Sequence, residues 1–265
     1  MNKKLFKSVV LGAAAVMSVA VLAGCGSSPA EQTASNKLVM GTNAQFPPFE
    51  FTTTNNPLVE TFDGIDVAIA KKIAEDNGKE LTIVDQEFEG LVAAVSTGKV
   101  DMAVAGMTVT PDRQQSVDFS DTYYTATQVM VVAPDNTSIQ KASDLVDKKV
   151  GVVLGYTGDN IVTDDLQVPE ANIQRANRAL DIIQDVKNGK LDAVVVDSYT
   201  GKALAEKNGL KAIEDPEAFE AEEYAIAVKK GNTELLEQIN KVLKEMKESG
   251  EIEQLAEKYN TMDVE

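Results

Sequence analysis

Histidine and tryptophan are absent from the 265 residues of this chain, and cysteine occurs once. Without histidine the chain cannot build a Ser-His-Asp or Cys-His catalytic centre, and it lacks the commonest transition-metal ligand. A single cysteine excludes an internal disulfide framework and a zinc site made of several thiolates. The composition therefore removes most enzyme classes that depend on a side chain titrating near pH 7, and we expect neither a metal nor a cofactor.

Basic residues are also scarce, with Lys+Arg 25 against Asp+Glu 42 and a formal net charge of −17. This balance, with a pI near 4.5, argues against nucleic acid or an anionic membrane surface as a partner, because both would repel the chain. The content of 43% hydrophobic and 25% charged residues is typical of a globular protein. The length suits roughly two domains of about 100 residues each.

The first 25 residues have the pattern of a targeting segment. Three lysines among residues 3–7 precede an apolar or small-residue run over 8–23, which is shorter than the roughly 20 residues of a spanning helix. The run ends in Leu-Ala-Gly-Cys at 22–25, which resembles a bacterial lipoprotein signal. The resemblance implies removal of residues 1–24, lipidation of Cys25, and a flexible tether over 25–36. An uncleaved membrane anchor and a buried structural cysteine are the alternatives.

From residue 37 onward, short apolar runs alternate with helical patterns, which predicts βα units and an α/β fold with mostly parallel sheets. The sequence also contains a pseudo-repeat, Gly-Lys-Val-Asp at 98–101 and Gly-Lys-Leu-Asp at 189–192, each between a predicted helix and a predicted buried strand. The separation of about 90 residues is close to the length of one lobe, which indicates two lobes of similar build. Helix–Gly–strand joints are common in α/β proteins, so the repeat alone does not exclude coincidence.

Arg113 is the first candidate functional residue. It follows a predicted strand and lies just inside a helix predicted to begin with Thr110 as the N-cap and Pro111 at the first helical position. The carboxyl ends of strands face the ligand crevice in α/β sheets, and a guanidinium there is matched to a carboxylate. Nearby, Gly106 permits close approach of a ligand and Thr108 adds a hydroxyl. The alternative is a surface arginine paired with a neighbouring acid, at 112 or 118.

Two further strand ends carry polar groups. Gly-Tyr-Thr-Gly at 155–158 precedes a predicted helix, whose free N–H groups suit a small carboxylate; a plain turn is the alternative. Asp197 ends a predicted strand and is placed to hold an ammonium, or else to cap the following helix. Phe46 and Phe88 follow two other strands and are candidates for ligand contact, although packing is the usual role of phenylalanine. Together these groups match the binding demand of an α-amino acid.

Several ordered motifs then identify a family resemblance. The chain resembles the polar amino-acid substrate-binding proteins of bacterial ABC importers from about residue 38 to 259. The motifs are GTNAQFPPFEF at 41–51, GIDVAIA at 64–70, FEGL at 88–91, GKVD at 98–101, AGMTVTPDR at 105–113, VDFSDTYY at 117–124 and GYTG at 155–158. The resemblance implies a two-lobed periplasmic-binding-protein-like fold of type II, with two crossover strands near 127–132 and 224–228. Lobe 1 is then expected at 37–128 plus 225–265, and lobe 2 at 129–224.

The resemblance also implies roles for individual residues. The α-carboxylate clamp is expected at Arg113, Thr108 and the main chain of Thr157 and Gly158. The α-ammonium site is expected at Asp197, the Gly106 carbonyl and Thr108, and Ala105 is included among the binding residues. Phe46 and Phe88 are expected to form aromatic walls around the ligand side chain. Hinge closure around the ligand is expected to trap it.

Two departures bear on specificity. Asn43 stands where the family often has Asp, which removes a charge and favours an uncharged polar or moderately apolar ligand. The stretch 64–68 reads Gly-Ile-Asp-Val-Ala in place of Gly-Phe-Asp-Ile-Asp, a change expected to affect packing alone. We expect a monomer whose partners are a free L-amino acid, an ABC permease and its ATPase. The alternatives are a cleft enzyme of the cyclohexadienyl dehydratase type and a ligand-sensing lobe for a receptor.

Overall fold

The computed structural model describes residues 36–260, so the predicted signal peptide, Cys25 and most of the tether lie outside the described residues. The strands are β1 (Lys37–Thr42), β2 (Gln45–Phe46), β3 (Glu50–Thr52), β4 (Phe62–Asp63), β5 (Glu80–Asp85), β6 (Met102–Ala103), β7 (Val117–Phe119), β8 (Tyr124–Ala126), β9 (Gln128–Val132), β10 (Val150–Val153), β11 (Ile173–Ala176), β12 (Ala193–Asp197), β13 (Lys211–Ile213), β14 (Glu222–Tyr224) and β15 (Ala227–Lys229). The α-helices are α1 (Ile65–Asp76), α2 (Leu91–Ser96), α3 (Pro111–Gln114), α4 (Thr157–Asn160), α5 (Ala179–Lys187), α6 (Ser198–Asn208), α7 (Thr233–Ser249) and α8 (Glu251–Asn260).

Two five-stranded sheets organise the fold, and each is the centre of one lobe. The first sheet has the order β5-β1-β6-β15-β7 and the second has the order β11-β10-β12-β9-β13. In each sheet the first three strands run parallel, and the fourth is antiparallel to both of its neighbours. The predicted two-lobed α/β architecture is therefore confirmed, with each sheet mixed rather than wholly parallel.

A separate two-stranded ribbon joins the two sheets. In the chain, β8 lies between β7 of the first sheet and β9 of the second sheet. Strand β14 lies between β13 of the second sheet and β15 of the first sheet. The two strands pair antiparallel, with Glu222 opposite Ala126 and Tyr224 opposite Tyr124. The connecting strands thus begin a few residues earlier than the crossovers predicted near 127–132 and 224–228. Most of the first predicted range belongs to β9, and the last two residues of the second belong to β15. The exact lobe boundaries stay a prediction.

The pseudo-repeat of the sequence corresponds to a repeated hydrogen-bond pattern. In the first lobe Asp101 accepts from the backbone N–H of Val39 at 2.8 Å and donates its own N–H to the Val39 carbonyl. In the second lobe Asp192 accepts from the backbone N–H of Lys149 at 2.8 Å and donates its N–H to the Lys149 carbonyl. The two motifs therefore make the same hydrogen bonds. Asp101 joins the start of β6 to β1, and Asp192 joins the start of β12 to the start of β10.

The chain returns to the first lobe at its end. Helix α7 buries one face, with Leu235, Ile239, Val242, Leu243 and Met246 in the core, and ends at Gly250, whose φ of 72° is in the left-handed region. The helix packs on α1 and α8. No helix in the described part of the chain is long and apolar enough to cross a membrane.

Candidate functional site

Arg113 is held by a short capped helix, as the sequence predicts. Thr110 is the N-cap of α3, and its hydroxyl accepts from the backbone N–H of Arg113 at 3.3 Å. The guanidinium donates to the Thr108 carbonyl at 2.7 Å and, across the cleft, to the Gly155 carbonyl at 2.9 Å. It also lies 5.1 Å from the centroid of the Phe88 ring. Arg113 is thus turned into the cleft, and the alternative pairing with a neighbouring surface acid is not formed.

The environment of Arg113 is enclosed and electrostatically mixed. The residue as a whole is half-buried, but its charged end lies between two carbonyls and an aromatic ring. Burial lowers the pKa of the guanidinium from its usual value, and the carboxylates of Asp197 and Glu222 partly oppose that shift. The carboxyl groups of Asp197 and Glu222 therefore both lie close enough to the Arg113 guanidinium to affect its pKa.

Asp197 lies at the carboxyl end of β12 with only 3% of its surface exposed. Its side chain makes no capping hydrogen bond to α6, so the capping alternative is not supported. Instead it accepts from the Tyr224 hydroxyl at 2.5 Å. Burial, followed by the charge of Glu222, raises the pKa of Asp197 to about 7, and hydrogen bonds from Tyr224 and Gln128 oppose the shift. A cation placed against Asp197 would favour its ionised form.

Gly106 occupies a position that excludes a side chain. Its φ is +51°, and an added Cβ would meet Phe46 Cε1 at 2.7 Å. Its N–H donates to Asp66 at 2.7 Å, and the same carboxylate oxygen accepts from the Tyr123 hydroxyl at 2.9 Å. Asp66 therefore fixes the backbone that carries the predicted ammonium-binding carbonyl, so the 64–68 stretch does more than pack. Ala105 is buried beside this turn.

A second buried carboxyl group accompanies Asp66. Glu50 is fully buried, and neither of its side-chain oxygens accepts a hydrogen bond from an N–H or O–H donor. Burial, then the charge of Asp66, raises the pKa of Glu50 well above its usual value, whereas burial raises that of Asp66 to about 6. Burial therefore favours the protonated form of Glu50, beside Asp66. No local sequence pattern marks Glu50 as a buried acid, although it lies within the 41–51 motif.

The predicted aromatic walls meet a third ring from the other lobe. Tyr156 lies edge-on to Phe46 with centroids 5.5 Å apart, and 4.5 Å from Phe88. Its hydroxyl is 3.5 Å from Asn43 Oδ1, a long contact, while the Asn43 amide donates to the Gln86 carbonyl at 2.9 Å. The structure therefore brings Phe46, Phe88 and Asn43 together around Tyr156. No local sequence pattern marks Tyr156 for this role, because the rings that it meets are distant in the chain.

The 155–158 turn begins α4, as the sequence predicts. Thr157 and Gly158 are the first two residues of the helix, where backbone N–H groups have no acceptor within the helix. A Cβ on Gly158 would lie 3.0 Å from the Val195 carbonyl oxygen, so the helix start approaches β12 closely. The two N–H groups that the resemblance assigns to a carboxylate thus lie near the strand that ends in Asp197.

A polar network not found from the sequence connects the two lobes. Glu222 accepts hydrogen bonds from the hydroxyls of Thr108 and Thr157, each at 2.7 Å and to the same oxygen. The Gln128 amide donates to Thr157 and to the other Glu222 oxygen, each at 3.2 Å. The Thr108 hydroxyl proton is thus directed at Glu222, which leaves its backbone N–H and its oxygen lone pairs for a ligand. Within residues 36–260 no group of three or more metal-binding side chains is arranged to hold an ion.

Known proteins resemble this chain over most of its length. The family model described as bacterial extracellular solute-binding proteins, family 3, matches residues 38–262. The chain is 36% identical to the arginine-binding extracellular protein ArtP of Bacillus subtilis (strain 168), over 96% of this chain and 98% of that protein.

Two solved structures are similar over most of the described chain. One is an ancestral arginine-binding protein bound to glutamine, with a TM-score of 0.76 and 38% identity, covering 84% of this chain and 97% of that one. The other is the ancestral amino acid-binding protein AncCDT-1, a precursor of cyclohexadienyl dehydratase, with a TM-score of 0.77 and 34% identity, covering 85% and 96%. Both likenesses extend across the two lobes rather than one.

Proposed function

Because the chain belongs to the bacterial extracellular solute-binding proteins, family 3, and is an amino-acid-binding protein of ABC transport, we propose that it captures a free L-amino acid between its lobes and delivers it to an importer. The observation that carries this proposal is the pairing of Arg113 with Asp197. One comes from each lobe: Arg113 donates across the cleft to the Gly155 carbonyl, and the charge of Asp197 opposes the lowering of the Arg113 pKa by burial. Opposite charges supplied by the two lobes suit a zwitterion.

The binding mode follows from the groups that remain available. Arg113, with the backbone N–H groups of Thr108, Thr157 and Gly158, receives the α-carboxylate. Asp197 and the Gly106 carbonyl receive the α-ammonium, and the ammonium favours the ionised form of Asp197. Arg113 exchanges a hydrogen bond to a protein carbonyl for one to the ligand, which is stronger because both partners are charged.

The ligand side chain is expected to carry N–H donors. Phe46, Phe88 and Tyr156 supply an aromatic surround, whose ring faces attract cationic and N–H groups. The Oδ1 atom of Asn43, which lies 3.5 Å from the Tyr156 hydroxyl, is an acceptor that suits a guanidinium or an amide. Asn43 favours an uncharged member of that class, such as glutamine, whereas the similarity to an arginine-binding protein extends the class to a guanidinium.

Modified ligands test the binding mode. We expect L-arginine or L-glutamine to bind in calorimetry after the protein has been unfolded and refolded to remove carried-over ligand. The Nα-acetyl derivative of the ligand that binds, and its α-carboxamide, should lose at least 100-fold in affinity, because each removes one charge of the pair. Undiminished binding of either derivative would contradict the site.

The proposal places the protein outside the cytoplasmic membrane, attached by lipid on Cys25. In cells, Cys25→Ala should move the protein from the membrane fraction to the soluble extracytoplasmic fraction, whereas Gly26→Ala should leave it membrane-bound. An unchanged membrane fraction for Cys25→Ala would contradict lipid anchoring and leave amino-acid binding intact.

The second candidate function is catalysis in the cleft. It is favoured by the similarity to AncCDT-1, which is named as a precursor of cyclohexadienyl dehydratase. We propose that this chain is a binding protein rather than an enzyme, because Arg113 and Asp197 both have roles toward an amino acid. Incubation with prephenate and with arogenate should give no aromatic product above the uncatalysed rate. Product formation that is lost in Asp197→Asn would reverse this assignment.

A further inference from the structure

The carboxylate of Glu222 accepts hydrogen bonds from hydroxyl groups of both lobes. Thr108 follows β6 of the first sheet, whereas Thr157 begins α4, which packs on β10 and β12 of the second sheet. Both hydroxyls donate at 2.7 Å to the same oxygen of Glu222. Hydrogen bonds to a charged acceptor are stronger than those between neutral groups. A single side chain therefore bridges the cleft.

The segments that carry Thr108 and Thr157, the two hydroxyl donors to Glu222, differ in how they are attached to the ribbon. The backbone around Thr108 is joined to the ribbon that carries Glu222, since the Val109 N–H donates to the Glu223 carbonyl and the Ala225 N–H donates to the Met107 carbonyl. No such backbone bond joins Thr157 to this ribbon among the hydrogen bonds of residues 36–260. Movement of the lobes apart would accordingly keep the Thr108–Glu222 bond and break the Thr157–Glu222 bond.

Glu222 is not among the residues proposed to contact the amino acid. Glu222 is only partly buried and, with Thr108 and Thr157, lines an open groove of 1580 Å³ between the lobes. Gln128 supports the bridge from the second sheet, through its bonds to Thr157 and to the other oxygen of Glu222. The hydroxyls used by the bridge are distinct from the backbone N–H groups that the proposed ligand carboxylate uses.

We propose that Glu222 is a positioning residue that latches the two lobes in the closed arrangement by accepting the Thr157 hydroxyl across the cleft. The latch deepens the proposed function, because it stabilises the closed form in which an amino acid is retained. It also fixes the start of α4, whose N–H groups are proposed to face the ligand carboxylate.

Single-molecule fluorescence transfer on ligand-free protein tests the latch. The full chain with Cys25→Ser would carry dyes at Lys99→Cys and Asp147→Cys, which are exposed positions near the starts of β6 and β10, away from the cleft. The test variants are Glu222→Ala, Glu222→Asp and Thr157→Val. The ratio of closed to open molecules should fall about tenfold in each, as expected when a hydrogen bond to a charged group is lost.

The choice of variants separates the bridge from the charge. Glu222→Asp keeps the charge but is one methylene shorter, whereas Glu222→Gln keeps the reach and one acceptor oxygen without the charge. If Glu222 acts as a bridge, we expect Glu222→Gln to retain part of the closed population and Glu222→Asp to lose it. Combining Glu222→Ala with Thr157→Val should lower the ratio no further than the larger single effect.

The neighbouring residue supplies a matched control. Glu223 lies on the same strand and accepts from the Thr125 hydroxyl at 3.0 Å, but this exposed pair joins only the two strands of the ribbon. Glu223→Gln and Thr125→Val should leave the closed population unchanged. Equal losses in these controls, unchanged closure in Glu222→Ala and Thr157→Val, or a wild-type protein with no closed population would each overturn the proposal.

The measurement needs no amino acid, so the two proposals fail separately. If closure depends on Glu222 but the protein binds no amino acid, the latch is supported and the proposed function is contradicted. If the protein binds an amino acid but closure does not depend on Glu222, the proposed function is supported and the latch is contradicted. Should Glu222→Ala not fold, as judged by circular dichroism, Thr157→Val and Glu222→Gln carry the same test.

Discussion

In the first lobe the segment that follows β6 supplies a cation, Arg113, whereas in the second lobe the strand at the matching position, β12, ends in an anion, Asp197. The two sheets have equivalent strand orders, and the same Gly-Lys-x-Asp motif precedes both strands. The scaffold is therefore repeated and the charge is inverted. A repeated scaffold with opposite charges at its two strand ends matches a ligand that is itself a zwitterion.

The lobes also differ in how they hold their charged group. Arg113 lies on a four-residue helix and donates to a carbonyl of each lobe. Asp197 is fixed at the strand end and bonded to Tyr224 of the connecting ribbon. Arg113 is thus hydrogen-bonded to both lobes, whereas Asp197 is bonded to the ribbon that connects them. Variants at the two positions should accordingly differ in size of effect.

Removal of the cation should have the largest effect. Arg113→Ala is expected to abolish amino-acid binding, with a loss of at least 100-fold, because the α-carboxylate loses a bidentate charged partner in a buried site. Calorimetric titration measures the loss. Arg178→Ala removes an exposed arginine of the second lobe and serves as the control, with unchanged affinity expected. Wild-type affinity in Arg113→Ala would remove this residue from the site.

Removal of the anion should have a smaller effect on affinity. Asp197→Asn is expected to weaken binding by about 2 kcal/mol, or roughly 30-fold, because the amide still bonds the ammonium but without its charge. The ligand-free fold should survive, since Asp197 does not cap α6. Loss of the folded state, measured by thermal unfolding, would instead indicate a structural role for this carboxylate.

Acid should affect the two charged groups differently. The pKa of Asp197 is raised to about 7 by burial, so this group gains a proton below that pH, whereas Arg113 stays charged. Ammonium binding is strongest to the ionised carboxyl, so affinity should fall by up to tenfold per pH unit below 7 and level off near the roughly 30-fold loss expected for Asp197→Asn. Titrations from pH 5 to 8 measure this dependence.

The corresponding stability effect has the opposite sign. A folded-state pKa above the unfolded value stabilises the ligand-free protein at low pH, and this contribution is lost as pH rises through about 7. Asp197→Asn should remove both dependences. An affinity that rises on acidification, or a pH profile unchanged in the variant, would contradict the role of Asp197.

The smallest predicted effect concerns the repeated scaffold itself. Asp101→Asn and Asp192→Asn should each destabilise the protein by about 1 kcal/mol, because each replaces the charged acceptor of the Val39 or Lys149 N–H by a neutral amide oxygen. Chemical denaturation measures the two free energies of unfolding. Equal losses with unchanged affinity are expected. A loss confined to one lobe would break the equivalence of the two motifs.

Much of this arrangement was accessible from local sequence. Thr110 and Pro111 predict the start of α3 because capping depends on residues adjacent in the chain. The Gly-Lys-x-Asp motif predicts paired lobes because its hydrogen bonds are repeated with the scaffold. Asp197 could be placed at the cleft because β12 is a continuous apolar run with a charged end.

The remaining site residues were missed for a common reason. Glu222 contacts Thr108 and Thr157, which are 114 and 65 residues away in the chain, and no short-range pattern marks such a contact. Glu50 stands beside Asp66 only after β3 and α1 have packed. Tyr156 meets Phe46 and Phe88 only because the folded chain brings the second lobe against the first. Local physics therefore predicts the framework, while contacts between distant segments require the folded chain.

The most direct test of the account is thermal unfolding of the refolded protein in the presence of each of the twenty amino acids. A ligand at 100 times its Kd adds about 2.7 kcal/mol to the free energy of unfolding, which is an easily measured shift. The account predicts that a few amino acids with N–H donors, arginine or glutamine among them, raise the midpoint, and that Arg113→Ala abolishes every such shift. No shift with any of the twenty, or shifts that persist in Arg113→Ala, would contradict it.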